Sequence, residues 1–184
     1  MKSFTRLLPV LLLAACCTGC VLTPRSHVQR EYYDLQSPVA GKINALLMVS
    51  AVSNDSPAQS RMLFRFAGNR MVHDNNNCWV QMPERMLQRY LEQIFALPEN
   101  TRLSKTASLR CTITAFEFDM IRTEAVLAMK YEMRYDLRHE AGTLLIKEKI
   151  KSNAPTELAD AMSRAAGKAA EQIGRAAGKI RSGN

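Results

Sequence analysis

Cysteines and histidines are the side chains here best able to ligate a metal or attack a carbonyl, and the 184-residue chain carries five and three of them. His27, His73 and His139 are scattered, with no second ligand at a metal-binding interval. His73 and Cys78 stand five apart across Asp74-Asn75-Asn76-Asn77, a spacing that matches no zinc site. There is no Gly-x-Ser-x-Gly elbow and no phosphate-binding glycine loop. Glu117, Asp119 and Glu124 cluster around one turn, where carboxylates are ordinarily solvated. No catalytic set, metal site or cofactor follows, and the chain reads as a non-enzyme. Cys78 and Cys111 lie in the body of the chain. In an oxidising compartment they could form a disulfide. As separate buried thiols they would act as small hydrophobes, and sequence alone cannot place their Cα atoms within bridging distance.

The other three cysteines, Cys16, Cys17 and Cys20, follow a short apolar run. Lys2 and Arg6 precede it with no acid, and Leu7 to Leu13 supply the apolar segment. This is the layout of a secretory signal, and it falls short of the roughly 20 apolar residues a spanning helix needs. The ending Leu12-Leu13-Ala14-Ala15-Cys16 resembles a bacterial lipobox. That resemblance implies cleavage before Cys16, lipidation of its thiol and acylation of the new amine. Cys20, preceded by Cys17-Thr18-Gly19, is the alternative. No Asp follows Cys16, which by analogy implies the outer membrane rather than retention at the inner one. On this reading residues 1–15 are the signal, 16–30 a lipidated tether and 31–182 a folded domain.

Removing the signal leaves roughly 170 residues, enough for one domain with a real core. It lowers the net charge from +8 to +6, because Lys2 and Arg6 are lost without an acid. A basic surface can favour nucleic acid or anionic lipid, but export and the absence of any nucleic-acid-binding signature argue against the former.

The elements that must position these residues follow from periodicity. Val21 to Arg30 lacks an apolar period and reads as tether. Glu31 to Leu35 is an aromatic strand candidate ended by Ser37-Pro38. The continuous run Ala45-Leu46-Leu47-Met48-Val49 predicts a central strand covered on both faces. Met62 to Phe66 and Arg70 to His73 flank Gly68-Asn69 as a hairpin, and Asp74 to Asn77 read as a loop. From Pro83, Met86, Leu87, Tyr90, Leu91, Ile94 and Phe95 form a helical stripe. Trp79, just ahead of it, is expected to cover the sheet edge. In Ser108 to Asp119 the apolar phase slips from Ile113 to Phe116, which predicts a bulge. Leu127 to Leu137 alternate as a strand, Ala141-Gly142 turns the chain, and Leu144, Ile146 and Ile150 return. Pro155 opens a last helix with Leu158, Met162, Ala165, Ala166, Ala169, Ile173, Ala176, Ala177 and Ile180 inside. Its repeated Arg-Ala-Ala-Gly-Lys at 164 and 175 lies on one face, with the cations outward. The sum is one α+β domain, a mostly antiparallel sheet with two helices on one face.

This order of features resembles the ABC-type transport auxiliary lipoproteins, the PqiC/YmbA-like group. The residues that carry the likeness are Tyr32-Tyr33-Asp34-Leu35, Arg61-Met62-Leu63-Phe64-Arg65, Trp79 before Met86-Leu87 and Leu91, Ala115-Phe116-Glu117, and the Ala/Gly-rich last helix. The resemblance implies a non-enzymatic outer-membrane lipoprotein facing the periplasm. Its partners would be an MCE-domain inner-membrane protein that forms a periplasm-spanning conduit, with its transporter subunits, and its role would be to assist transport of lipid, phospholipid first among the candidates. Docking by an exposed edge or loop is expected, strand addition being one mode. Tyr32, Tyr33 and Trp79 are the contact candidates, with core packing as their alternative role. Oligomeric state is left open, a homo-oligomer among the options. A lipoprotein regulator of a peptidoglycan synthase is the competing function. It is disfavoured because a tether of about 15 residues reaches only roughly 50 Å. A lipid carrier would need a sizeable apolar cavity.

Overall fold

The structure, a computed structural model, describes residues 29–98, 100–101 and 106–182. Cys16, Cys17, Cys20, the signal and nearly all of the tether lie outside the described residues. In chain order the elements are β1 (Glu31–Tyr33), β2 (Leu47–Asn54), β3 (Arg61–Arg65), a 3-10 turn (Ala67–Asn69), β4 (Met71–Trp79), α1 (Pro83–Ile94), β5 (Ala107–Asp119), β6 (Glu124–Tyr135), β7 (Arg138–Lys149) and α2 (Pro155–Ser182).

All seven strands join one sheet organised around β5. On one side β5 pairs antiparallel with β6 from Ser108↔Arg134 to Asp119↔Glu124, and β6 pairs with β7 along its full length. The other side of β5 is shared end to end. β2 lies parallel to its first half, from Leu47↔Ala107 to Asn54↔Ile113, and β3 takes the last residues through Phe64↔Phe118 and Arg65↔Asp119. β4 then returns antiparallel beside β3, and β1 runs parallel to β4 at the far edge. The β3–β4 turn, the β5–β6 turn and the β7–α2 connection therefore share one end, called upper below. The β6–β7 turn and the end of α2 share the lower end, where Arg138 Nη1 donates to the carbonyls of Ile180 and Arg181.

Both helices cover one face, giving the α+β architecture the periodicity predicts. α1 starts on Pro83, whose missing N–H is no loss in a first turn. Its stripe of Met86, Leu87, Tyr90, Leu91 and Ile94 is buried. In α2 the buried stripe is mostly alanine, from Leu158 to Ile180, so its backbone lies close to its neighbours. Gly174 marks the tightest approach, where an added Cβ would stand 2.6 Å from Ile43 Cγ2. Acidic Glu157 in the first turn and Lys179 and Arg181 in the last suit the helix dipole.

Three local expectations change, and a fourth, the bulge in β5, holds. β2 is not a strand covered on both faces: it pairs only with β5, and Met48 is 43% exposed. Its apolar run packs one face on α1 and leaves the other to solvent, because both helices lie on the same face of the sheet. The chain turns not at Ala141-Gly142 but at Asp136-Leu137, flanked by the pair Tyr135↔Arg138. Asp136 tolerates the left-handed φ of 53° that a two-residue hairpin demands, and Leu137 stands 97% exposed. Gly142 lies within β7 opposite Tyr131, where an added Cβ would meet the phenol oxygen at 2.6 Å. Asp74 to Asn77 belong to β4, as a wide bulge between Leu63↔His73 and Arg61↔Cys78. The phase slip in β5 is a register shift between Ile113 and Ala115, after which Phe116 and Phe118 turn inward.

Candidate functional site

β1 and the segment after it hold the first two contact candidates. Tyr32 is 61% exposed. Tyr33 is half-buried, packs on the core and donates its hydroxyl to Glu31 Oε2. That hydrogen bond, with some burial and the Glu31 and Asp74 charges, pushes its pKa up to about 12. Beyond the strand, Asp34 pairs with Arg89 of α1, and Gln36 takes its N–H to Ser163 Oγ and its side-chain amide to Asp160 Oδ1 of α2. Leu35 between them is buried. Trp79 does not join the tyrosines at the surface. It is 1% exposed, edge-on to Phe116 at 5.4 Å and stacked near Phe118 at 6.2 Å. Its ring is enclosed in the core against Phe116 and Phe118, which leaves it no surface for a partner.

At the upper end the three carboxylates around the β5–β6 turn are paired rather than solvated. Glu117, 5% exposed, accepts two hydrogen bonds from Arg65. Asp119 is equally buried and bonds Arg122 Nη1 at 2.9 Å and the N–H groups of Ile121 and Arg122. Glu124 pairs with Lys149. Burial alone would raise Asp119, but the Arg122 and Ile121 bonds outweigh it and hold the carboxyl below its ordinary range. Beside this cluster lies an open groove of about 480 Å³, lined by apolar Phe64, Phe66, Val72 and Met120 and by the polar run His73-Asp74-Asn75-Asn76 with Asn153. Ile121, next in sequence, is 61% exposed, and Arg70 sits over the Phe66 ring at 4.6 Å. Sequence reasoning missed this apolar end. The available signal was Met120-Ile121 in a turn, where polar residues are the rule.

The sheet face away from the helices is polar. Ser50, Ser108, Arg110, Glu132 and Arg134 line a hollow of about 220 Å³, and Ser53, Thr112 and Lys130 extend it. Arg110, Lys130 and Arg134 make no ion pair among the described residues. Two of the outward cations of α2 are engaged: Lys168 and Arg164 bind the buried carboxylate Glu148 of β7, and Arg164 also binds Glu157. Among the described residues the outer edges of β2 and β7 carry no strand. β7 is guarded by Arg138, Glu140, Lys147 and Lys149, whereas β2 has no charged residue.

Cys78 and Cys111 are free and buried. Cys78 faces Arg61 across the β3–β4 ladder, while Cys111 lies opposite Val52 and Tyr131, so β3 stands between their strands and no bridge joins them. Burial pushes the Cys111 thiol up to about 12. Among the described residues no three His, Cys, Asp or Glu side chains converge to hold a metal, and no helix is long and apolar enough to cross a membrane.

No family model matches this sequence, and no curated protein matches it. Solved structures do. An uncharacterised protein superposes with a TM-score of 0.66 at 17% identity, over 80% of this chain and 98% of its own. A Xanthomonas campestris protein of the DUF330 family superposes with a TM-score of 0.61 at 15% identity, over 88% of this chain and 94% of its own. A Caulobacter crescentus protein reaches a TM-score of 0.42 at 10% identity, over 77% and 95%, which is too loose to argue from. At these identities the likeness is one of fold: the chain shares the whole α+β architecture of the first two proteins.

Proposed function

We propose that this protein is an auxiliary lipoprotein of the PqiC/YmbA-like group, which DUF330 denotes. Acyl chains on Cys16 hold it at the periplasmic face of the outer membrane. There it docks the far end of an MCE-domain conduit from the inner membrane and assists the passage of phospholipid, without chemistry of its own. The observation that supports this most is the fold shared with a DUF330 protein across nearly the whole domain, joined to the sequence resemblance and the lipobox-like Cys16. The polar open face, and an upper groove that is open and half-lined by polar residues, support docking over carriage, since a lipid carrier needs an apolar cavity.

Strand addition along β2 is the docking mode the edges favour. Its segment Leu47–Asn54 offers an uncharged edge, while β7 is lined with charge. Tyr32 is the one contact candidate well presented to solvent. The test is a pull-down of the tagged, lipidated protein from gently solubilised envelopes. Recovery of an MCE-domain protein with its transporter subunits is expected. Recovery of a penicillin-binding protein without them would move the assignment to a regulator of peptidoglycan synthesis.

A further inference from the structure

We propose that the upper end of the domain rests on a phospholipid bilayer, with Phe66, Val72 and Ile121 as the side chains that meet lipid. This rests on reading the residues before β1 as an acyl-anchored tether.

Three observations converge on that end. The first is apolar exposure where turns are ordinarily polar. Ile121 stands out from the β5–β6 turn, and Phe64, Phe66, Val72 and Met120 line the groove beside it. Arg70, stacked on Phe66, provides an aromatic body with a charged tip, a pairing suited to a boundary between apolar and wet surroundings. The second is the state of the carboxylates that would otherwise repel a membrane. Glu117 and Asp119 are buried against Arg65 and Arg122, and Glu124 is held by Lys149. Asp74, on the groove wall, is turned onto the N–H groups of Asn76 and Asn77 and the Asn77 amide.

The third is where the chain comes from. β1 runs parallel to β4, away from the β3–β4 turn, so its first residue, Glu31, faces the upper side. At coil dimensions about 15 residues have an r.m.s. span of roughly 20 Å. The 13-residue β5 spans about 40 Å at strand rise. A domain hung on such a tether therefore presents its upper end to the bilayer and holds its lower end a sheet-length away. At effective concentrations on the order of millimolar for short linkers, even a weak apolar contact is populated. Leu137, though fully exposed, marks the lower tip and serves as the internal control.

The test uses the full lipidated protein, purified from membranes and reconstituted in phosphatidylethanolamine and phosphatidylglycerol vesicles doped with a phospholipid that carries a diazirine in its acyl chain. After irradiation, adducts are mapped by mass spectrometry. Adducts are expected on the segments 64–72 and 119–123 and not on 134–139. Ile121→Asp, an exposed turn substitution that leaves the core alone, should lower the yield on the upper segments about tenfold, given the transfer cost of a lost isoleucine and a gained charge. Adducts spread evenly, concentrated near Leu137 or confined to the N-terminal peptide would overturn the proposal. The same digest weighs the N-terminal peptide. An unacylated peptide would refute the anchor reading separately, whatever the adduct map shows.

Discussion

Replacing Gly174 and Gly178 of α2 by alanine, one at a time, should move stability in opposite directions. In a helix interior each Gly→Ala change is worth about 1 kcal/mol of intrinsic preference. At Gly178 no side chain or backbone from elsewhere in the fold lies within 4 Å of the new Cβ, so the whole gain should appear. The turn it occupies is pinned, because Ile180 is buried and Arg138 holds the carbonyls of Ile180 and Arg181. At Gly174 the new methyl would sit 2.6 Å from Ile43 Cγ2, with Phe95 and Ala45 close behind. The comfortable carbon–carbon separation is about 3.5–4.0 Å, so the overlap is roughly 1 Å. Overpacking of that kind costs about 1–3 kcal/mol, which cancels or exceeds the helical gain. For a domain of this size 1 kcal/mol shifts Tm by about 2–4 °C. Gly178→Ala should therefore raise Tm by about 2–4 °C, and Gly174→Ala should leave it unchanged or lower it by up to about 8 °C. Thermal melts followed by circular dichroism measure both. Equal gains would refute the close approach of the Ile43 segment to α2, and no gain at Gly178 would refute an ordered last turn.

Trp79→Ala should cost about 3–5 kcal/mol in urea unfolding, as expected for a fully buried large aromatic. Tyr32→Ala should stay within about 0.5 kcal/mol, as expected for an exposed side chain; the reverse order would overturn their placement. Stability should fall as pH drops below about 4, the ordinary carboxylate range. Asp119 is depressed in the folded state, so its contribution is present above the unfolded pKa and is lost as pH falls through the folded one. Asp119→Asn should flatten that acid limb, and an unchanged limb would place the acid sensitivity elsewhere. Cys78 and Cys111 should resist a thiol reagent at pH 8 until the protein is denatured, since both are buried and Cys111 stays protonated. Rapid labelling of either in the native protein would contradict this packing.

Periodic segments were legible in the sequence because their burial is one-sided. The stripe from Met86 to Ile94 gave α1, and the slip from Ile113 to Phe116 gave the bulge in β5. Where burial depends on how layers are distributed over the sheet, local pattern misled. Ala45 to Val49 reads as a strand covered on both faces, yet both helices lie on one face and the other side of β2 meets solvent. Ala141-Gly142 carries turn residues, yet Asp136 bends the chain five residues earlier, and Gly142 serves instead to accommodate Tyr131. Of the site, the exposure of Tyr32 and the burial of Trp79 could not be separated from sequence, since both are aromatic residues beside strand edges. The ion pairs of Glu117 and Asp119 were hidden because Arg65 is distant in the chain and the Asp119–Arg122 bond depends on the turn's shape.

The junction at residues 31–36 also has a mechanical meaning. Any pull on the chain ahead of Glu31 reaches the domain through a three-residue strand, too short to bear load by its ladder alone. The force does not stop there. The Asp34–Arg89 pair passes part of it to α1, Gln36 passes part to α2 through Ser163 and Asp160, and buried Leu35 wedges the segment between them. A tug at the N-terminus thus meets the sheet, then α1, then α2 in turn along residues 31–36.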